Sequence, residues 1–88
     1  MLFMVVEHFG AGSLESVGAR FQSHGRMLPD GVVYVDSWMT PDGSRCFQLM
    51  VAPDRDVLQE WLDRWSDLVA FEVDEVVGSS AFWAARDP

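Results

Sequence analysis

Cys46, Gln48 and Met50 alternate along one short apolar run, and Tyr34, Asp36 and Trp38 alternate along another. Side chains two apart on an extended chain share a face. Each set is therefore expected to form a row: thiol, amide and thioether in one, phenol, carboxylate and indole in the other. The turn Pro41-Asp42-Gly43-Ser44 separates the runs, so they read as a hairpin with neighbouring rows. Glu72, near the C-terminus, and His8 or Glu7, near the N-terminus, join them if their strands enter the same sheet. Gln48 can both donate to and accept from a carbonyl or hydroxyl. Glu72 or His8 can serve as a base if burial shifts its pKa suitably. Apolar walls with a few converging polar groups are what a small-molecule site requires. The candidate ligand-binding residues are thus His8, Tyr34, Trp38, Cys46, Gln48, Met50 and Glu72, with no catalytic residue singled out. The same groups could instead satisfy one another, or water, across an interface between two chains.

Several other chemistries lack their residues. His8 and His24 fall in different elements and Cys46 is the only cysteine, so no metal-ligand spacing exists and no cofactor is expected. A Cys46–His8 nucleophile pair requires both to face one cavity, whereas a lone strand cysteine is ordinarily a small buried hydrophobe. Gly10-Ala11-Gly12 begins like a dinucleotide loop, but position 15 is Glu15 where a third glycine is needed. Arg26, before a Met-Leu-Pro turn, could reach a carboxylate at a cavity mouth or pair with a surface acid.

The elements that must position these residues follow from periodicity. Residues 2–9 are apolar on both parities as far as Val6, the mark of a strand buried on both faces and central in its sheet. Ser13 is the expected N-cap of a helix running to about Arg26, with Leu14, Val17, Phe21, His24 and Leu28 on one face. Gly18 lies inside it and is expected to let the helix approach the sheet closely. Val32–Thr40 and the run ending at Val51 form the hairpin. In the second of these, the purely apolar set Phe47, Leu49 and Val51 is expected to face the helices, and Cys46, Gln48 and Met50 the opposite side. Asp54 or Asp56 caps a second helix, about 56–68, whose Trp61 and Trp65 lie one turn apart against the sheet. Residues 70–77 form the last strand, and 79–88 a short helical tail with Phe82 and Trp83. The order βαββαβ predicts an α+β, ferredoxin-like fold: a four-stranded antiparallel sheet with two helices on one face, in a single domain over 1–88.

Two helices cover one sheet face only. An 88-residue chain buries roughly 60–65% of its unfolded surface, yet 49% of this one is hydrophobic, with four Trp and six Phe. A second copy packed on the open sheet face, giving a homodimeric α+β barrel with a cavity between the sheets, accounts for that load. The net charge of −8 makes nucleic acid and anionic membrane surfaces poor partners. The absence of any disulfide pairing and of a recognisable targeting or membrane-spanning run makes a cytoplasmic setting the expectation.

MLFMVVEHF, FQSHGRMLPDGVVYVDSW, RCFQLM and WLDRWSDLVAFEV together resemble a short bacterial family known only as a domain of unknown function. The resemblance covers nearly the whole chain, and GRMLPDG, RCFQLM and RWSDL are its most distinctive pieces. That family is similar in fold to the dimeric α+β barrel superfamily, which includes cofactor-independent monooxygenases, small-ring isomerases, haem-dependent peroxidases and stress-response proteins. The resemblance implies the fold and the dimer, and names no reaction and no catalytic residue. Three functions stay open: a non-enzymatic domain binding a small apolar or aromatic molecule, a cofactor-independent enzyme acting on such a molecule, and an interaction module with no ligand.

Overall fold

The structure, a computed structural model, describes residues 1–86. Its elements follow in the order β1 (Leu2–Phe9), α1 (Ser13–His24), β2 (Val33–Met39), β3 (Arg45–Val51), α2 (Arg55–Asp63), β4 (Val69–Val76) and α3 (Ser79–Ala84). The four strands form one sheet in the order β2-β3-β1-β4, antiparallel throughout. This is the ferredoxin-like βαββαβ arrangement, and β1 is an inner strand, as its two-sided apolarity requires. Of the tail expected at 79–88, residues 79–84 are helical and residues 87–88 lie outside the described residues.

One face of the sheet carries the core. Phe3 and Val5 of β1, Met50 of β3 and the flanking Val32 and Ala52 pack with Leu58, Trp61, Leu62 and Trp65 in one buried cluster. Asp54 caps α2 as expected, its Oδ1 accepting from the Val57 N–H at 2.8 Å. The α1 terminus differs from expectation. Gly12, at φ 77°, occupies the N-cap position, and the Ser13 hydroxyl donates back to the Gly10 carbonyl at 3.1 Å. The helix stops at His24 because Gly25 turns to φ 66°, a conformation an L-residue rarely adopts. Gly18 makes no close approach: a Cβ there would meet nothing within 4 Å.

Strand β3 presents its faces the opposite way from the sequence expectation. Met50 pairs with Phe3, Gln48 with Val5 and Cys46 with Glu7, and directly opposed residues share a face. Cys46, Gln48 and Met50 therefore lie on the helix side, and all three are buried. Phe47, Leu49 and Val51 lie on the open side with Leu2, Met4 and Val6. Periodicity misleads here because both faces of β1 and β3 are rich in apolar groups, so a strand reversed about its axis still satisfies the pattern.

Strand β2 adds a second departure. Its register against β3 shifts by one residue between Tyr34 and Asp36, leaving Val35 without a partner. Such a bulge inverts the alternation beyond it. Tyr34 pairs with Met50 on the helix side, whereas Asp36 pairs with Leu49 and Trp38 with Phe47 on the open side. Val33 also faces the open side, and both it and Val35 are exposed.

Candidate functional site

The seven residues singled out from sequence do not form one constellation. The sheet divides them. Tyr34, Cys46, Gln48 and Met50 lie beneath the helices; His8, Trp38 and Glu72 lie on the open face. On that open face His8 Nε2 stands 3.5 Å from Glu72 Oε2 and has no hydrogen-bond partner, although the nitrogen itself is buried. Trp38 is 53% exposed. Met50 is fully enclosed in the core.

The helix side holds the more developed site. A cavity of about 100 Å³ opens between α1, α2 and the sheet. Its walls are Val17 and Phe21 of α1 and the indoles of Trp61 and Trp65; Glu7, Ser37, Gln48 and Arg26 supply the polar groups. The fold places each of them for a reason. Glu7 lies in the odd-numbered row of β1, one pleat beyond Val5, where the buried core cluster gives out. Gln48 faces inward on the neighbouring strand, opposite both Val5 and Ser37. Ser37 faces inward only because of the β2 bulge. Helix α1 has no buried residue, and Phe21 remains 43% exposed, so the helix roofs the cavity without filling it.

Trp61 and Trp65 are core residues, as their spacing predicts, and they also shape the cavity rim. Both indole N–H groups donate to the Arg26 carbonyl, each at 3.0 Å. The Arg64 guanidinium donates to the next carbonyl, that of Met27. Met27 itself holds φ 57°, a strained value for a residue with a side chain. These bonds anchor the chain between α1 and β2 and orient the Arg26 side chain. Its guanidinium lies 3.6 Å from the centre of the Tyr34 ring and 5.1 Å from that of Phe21. Among the described residues it forms no ion pair and finds no hydrogen-bond partner.

Glu7 is 6% exposed and Gln48 8%, and neither side chain has a hydrogen-bond partner among the described residues. Burial pushes the Glu7 carboxyl up to about 7, against a smaller opposing pull from the Arg26 charge. The Cys46 thiol, opposite Glu7, is pushed up to about 11 by burial first and by the Glu7 charge second. A thiol held so far from ionisation is a poor nucleophile at neutral pH. Among the described residues no three of His, Cys, Asp and Glu gather in a way that could hold a metal ion.

Sequence reasoning named Gln48, weighed Glu7 beside His8, and noticed Arg26. Ser37 was missed, because its inward position depends on an irregularity that alternation does not reveal. Phe21, Trp61 and Trp65 were read as packing residues; they are that, and they also line the cavity.

The chain is similar in structure to the Rv0793 protein of Mycobacterium tuberculosis, with a TM-score of 0.54 and 14% identity over 90% of this chain and 97% of that one. It is also similar to a candidate antibiotic biosynthesis monooxygenase of Deinococcus radiodurans, with a TM-score of 0.48 and 7% identity over 89% of this chain and 93% of that one. The first likeness supports the fold and nothing finer. No curated protein matches the sequence. A family profile matches residues 1–87, and by that match the chain belongs to the family described as domain of unknown function DUF3303.

Proposed function

We propose that this chain binds a small, single-ring molecule in the cavity between its helices and its sheet. One observation carries the reading: Glu7 and Gln48, largely buried, line that cavity with polar atoms that reach its open space and meet no hydrogen-bond partner among the described residues. A complementary ligand can take up that hydrogen-bonding capacity in place of water. Aromatic walls and a volume of about 100 Å³ suit one ring rather than several. The site lies beneath the helices and not between two sheets, since Gln48 and Tyr34 face inward. Titration of single-ring compounds, read at the Trp61 and Trp65 indole N–H resonances, tests this. The expected result is a saturable shift that Gln48→Leu weakens. Indole resonances that no such compound moves would refute it.

A second reading, cofactor-independent catalysis on such a molecule, is favoured by the Glu7 carboxyl alone. A pKa of about 7 is what a proton acceptor working near neutrality needs. Under that reading Glu7→Gln abolishes turnover and leaves binding intact.

The open sheet face supports self-association. Met4, Val6, Phe47 and Leu49 line its centre, with the half-exposed Trp38 and Val33 beside them. Water contact along such a row is unfavourable, and a second copy is the cover proposed. The buried, unpaired Cys46 fits a reducing, cytoplasmic setting.

A further inference from the structure

We propose that the ligand of this cavity is a single-ring aromatic carboxylate, gripped by Arg26 and bound together with one proton on Glu7. The inference rests on the ligand-site reading above and adds the charge of the ligand.

Arg26 supplies the first part. Its guanidinium is stacked on Tyr34 and flanked by Phe21, and its backbone is held by two indoles. Stacking occupies the faces of the planar group and leaves its N–H edge free. Arg20, Arg55 and Arg64 use theirs, gripping Asp67, Gln59 and Met27, whereas Arg45, which like Arg26 lies over an aromatic ring, lines no part of this cavity. A preorganised guanidinium with a free N–H fork matches a carboxylate bidentately. A cationic ligand would meet the same charge as repulsion.

Glu7 supplies the second part. The only charged groups lining the cavity are Glu7 and Arg26. Strand β2 presents the Ser37 hydroxyl, hydrogen-bonded to that of Tyr34, to the same space. Strand β3 offers the un-ionised Cys46 thiol and the Gln48 amide, and β4 offers Phe71. Helix α1 contributes Val17 and Phe21, and the α2 side contributes Trp61 and Trp65. With no ligand, Arg26 and an ionised Glu7 balance. A carboxylate entering that pair leaves two negative charges on one positive in a poorly hydrated space, which is strongly unfavourable. A proton taken from solvent by Glu7 restores neutrality, and the resulting carboxylic acid can donate a hydrogen bond to the ligand. Gln48 offers its N–H₂ to the same end.

The sign follows from linkage. Because the bound state holds the proton more tightly, affinity is constant below the Glu7 pKa and falls above it, by about tenfold for each pH unit. Benzoate, benzamide and benzylamine form a test series of one shape with negative, neutral and positive charge. Benzoate is fully ionised across the pH range of interest, so its pH dependence belongs to the protein. Titration into the wild-type protein at about pH 6 should show benzoate tightest of the three, and calorimetry at about pH 8.5 in two buffers of different ionisation enthalpy should show close to one proton taken up per benzoate bound. Glu7→Gln should bind benzoate as the wild type does at low pH, with no pH dependence. Arg26→Gln should lose benzoate at least tenfold and keep benzamide, its indole N–H resonances confirming the fold. Benzamide or benzylamine binding more tightly than benzoate at about pH 6, or benzoate binding at about pH 8.5 without proton uptake, overturns the inference and leaves the cavity a ligand site. If none of the three moves the Trp61 and Trp65 resonances, the ligand-site reading falls with it.

Discussion

Glu7 sits where the apolar row of β1 runs out, and its carboxyl stays close to half-ionised at neutral pH. Its shift is a statement about stability. The carboxyl is raised from 4.5 to about 7, so the folded state binds this proton more tightly than the unfolded chain does. Its contribution is therefore fully present below about pH 4.5 and is lost as pH rises to about 7. The loss is up to about 3 kcal/mol, before relaxation and solvent access reduce it. Urea denaturation of the wild type and of Glu7→Gln across that range should show the gap between them closing in favour of the variant as pH rises. A gap that stays constant would mean that Glu7 is not titrating inside the fold. At this scale the sequence was half legible. Glu7 and His8 were adjacent candidates, and only the pairing of β1 decides that Glu7 joins Gln48 while His8 joins Glu72.

Between elements, the two helices differ in how they are held. Helix α2 buries Leu58, Trp61 and Leu62; α1 buries nothing. A bidentate Arg20–Asp67 ion pair, 2.7 Å on both arms, tethers α1 to the turn after α2, with the Arg20 guanidinium 5.6 Å from the Trp65 ring centre. Exposed pairs of this kind are screened by water and weaken with salt. Asp67→Asn should raise amide exchange in α1 and leave that of β1 and β3 unchanged. Equal exchange in both proteins would show that apolar contact holds α1 after all. Gly18 allows the converse change. Open space surrounds its Cα, so Gly18→Ala should stabilise α1 by about 1 kcal/mol, seen as a higher thermal midpoint. The start of α2 was legible from its cap, Asp54, whereas both ends of α1 shifted, Gly12 taking the place expected of Ser13 and Gly25 ending the helix at His24. The looseness of α1 was not, because Leu14, Val17 and Phe21 have the spacing of a buried stripe whether or not the sheet meets them.

For the molecule as a whole, a slab 17 Å thin presents one broad apolar side. The two-sided apolarity of β1 points to this: a helix layer covers one face and leaves the other apolar. Leu49→Glu places a charge at the middle of that side. It should convert a dimer to a monomer by light scattering while the Trp61 and Trp65 indole resonances stay in place. A wild type that is monomeric at micromolar concentration would refute the dimer. What the sequence concealed was which face of β3 belongs to which layer. The core-forming row ends in Glu7, Cys46 and Gln48, so polarity that reads as an outer face in fact lines an inner cavity.

Val35 gives the sheet one residue more than its ladder with β3 needs. A shortened chain lacking Val35 keeps Tyr34 and Ser37 inward and Asp36 and Trp38 outward, because the alternation simply closes over the gap. The hairpin should therefore absorb that loss, whereas loss of Gln48 from bulge-free β3 reverses part of a strand. In a scan of single-codon deletions along the hairpin, soluble expression should survive at Val35 and collapse at Gln48. That one spare position is where this fold can change its length without exchanging its inside for its outside.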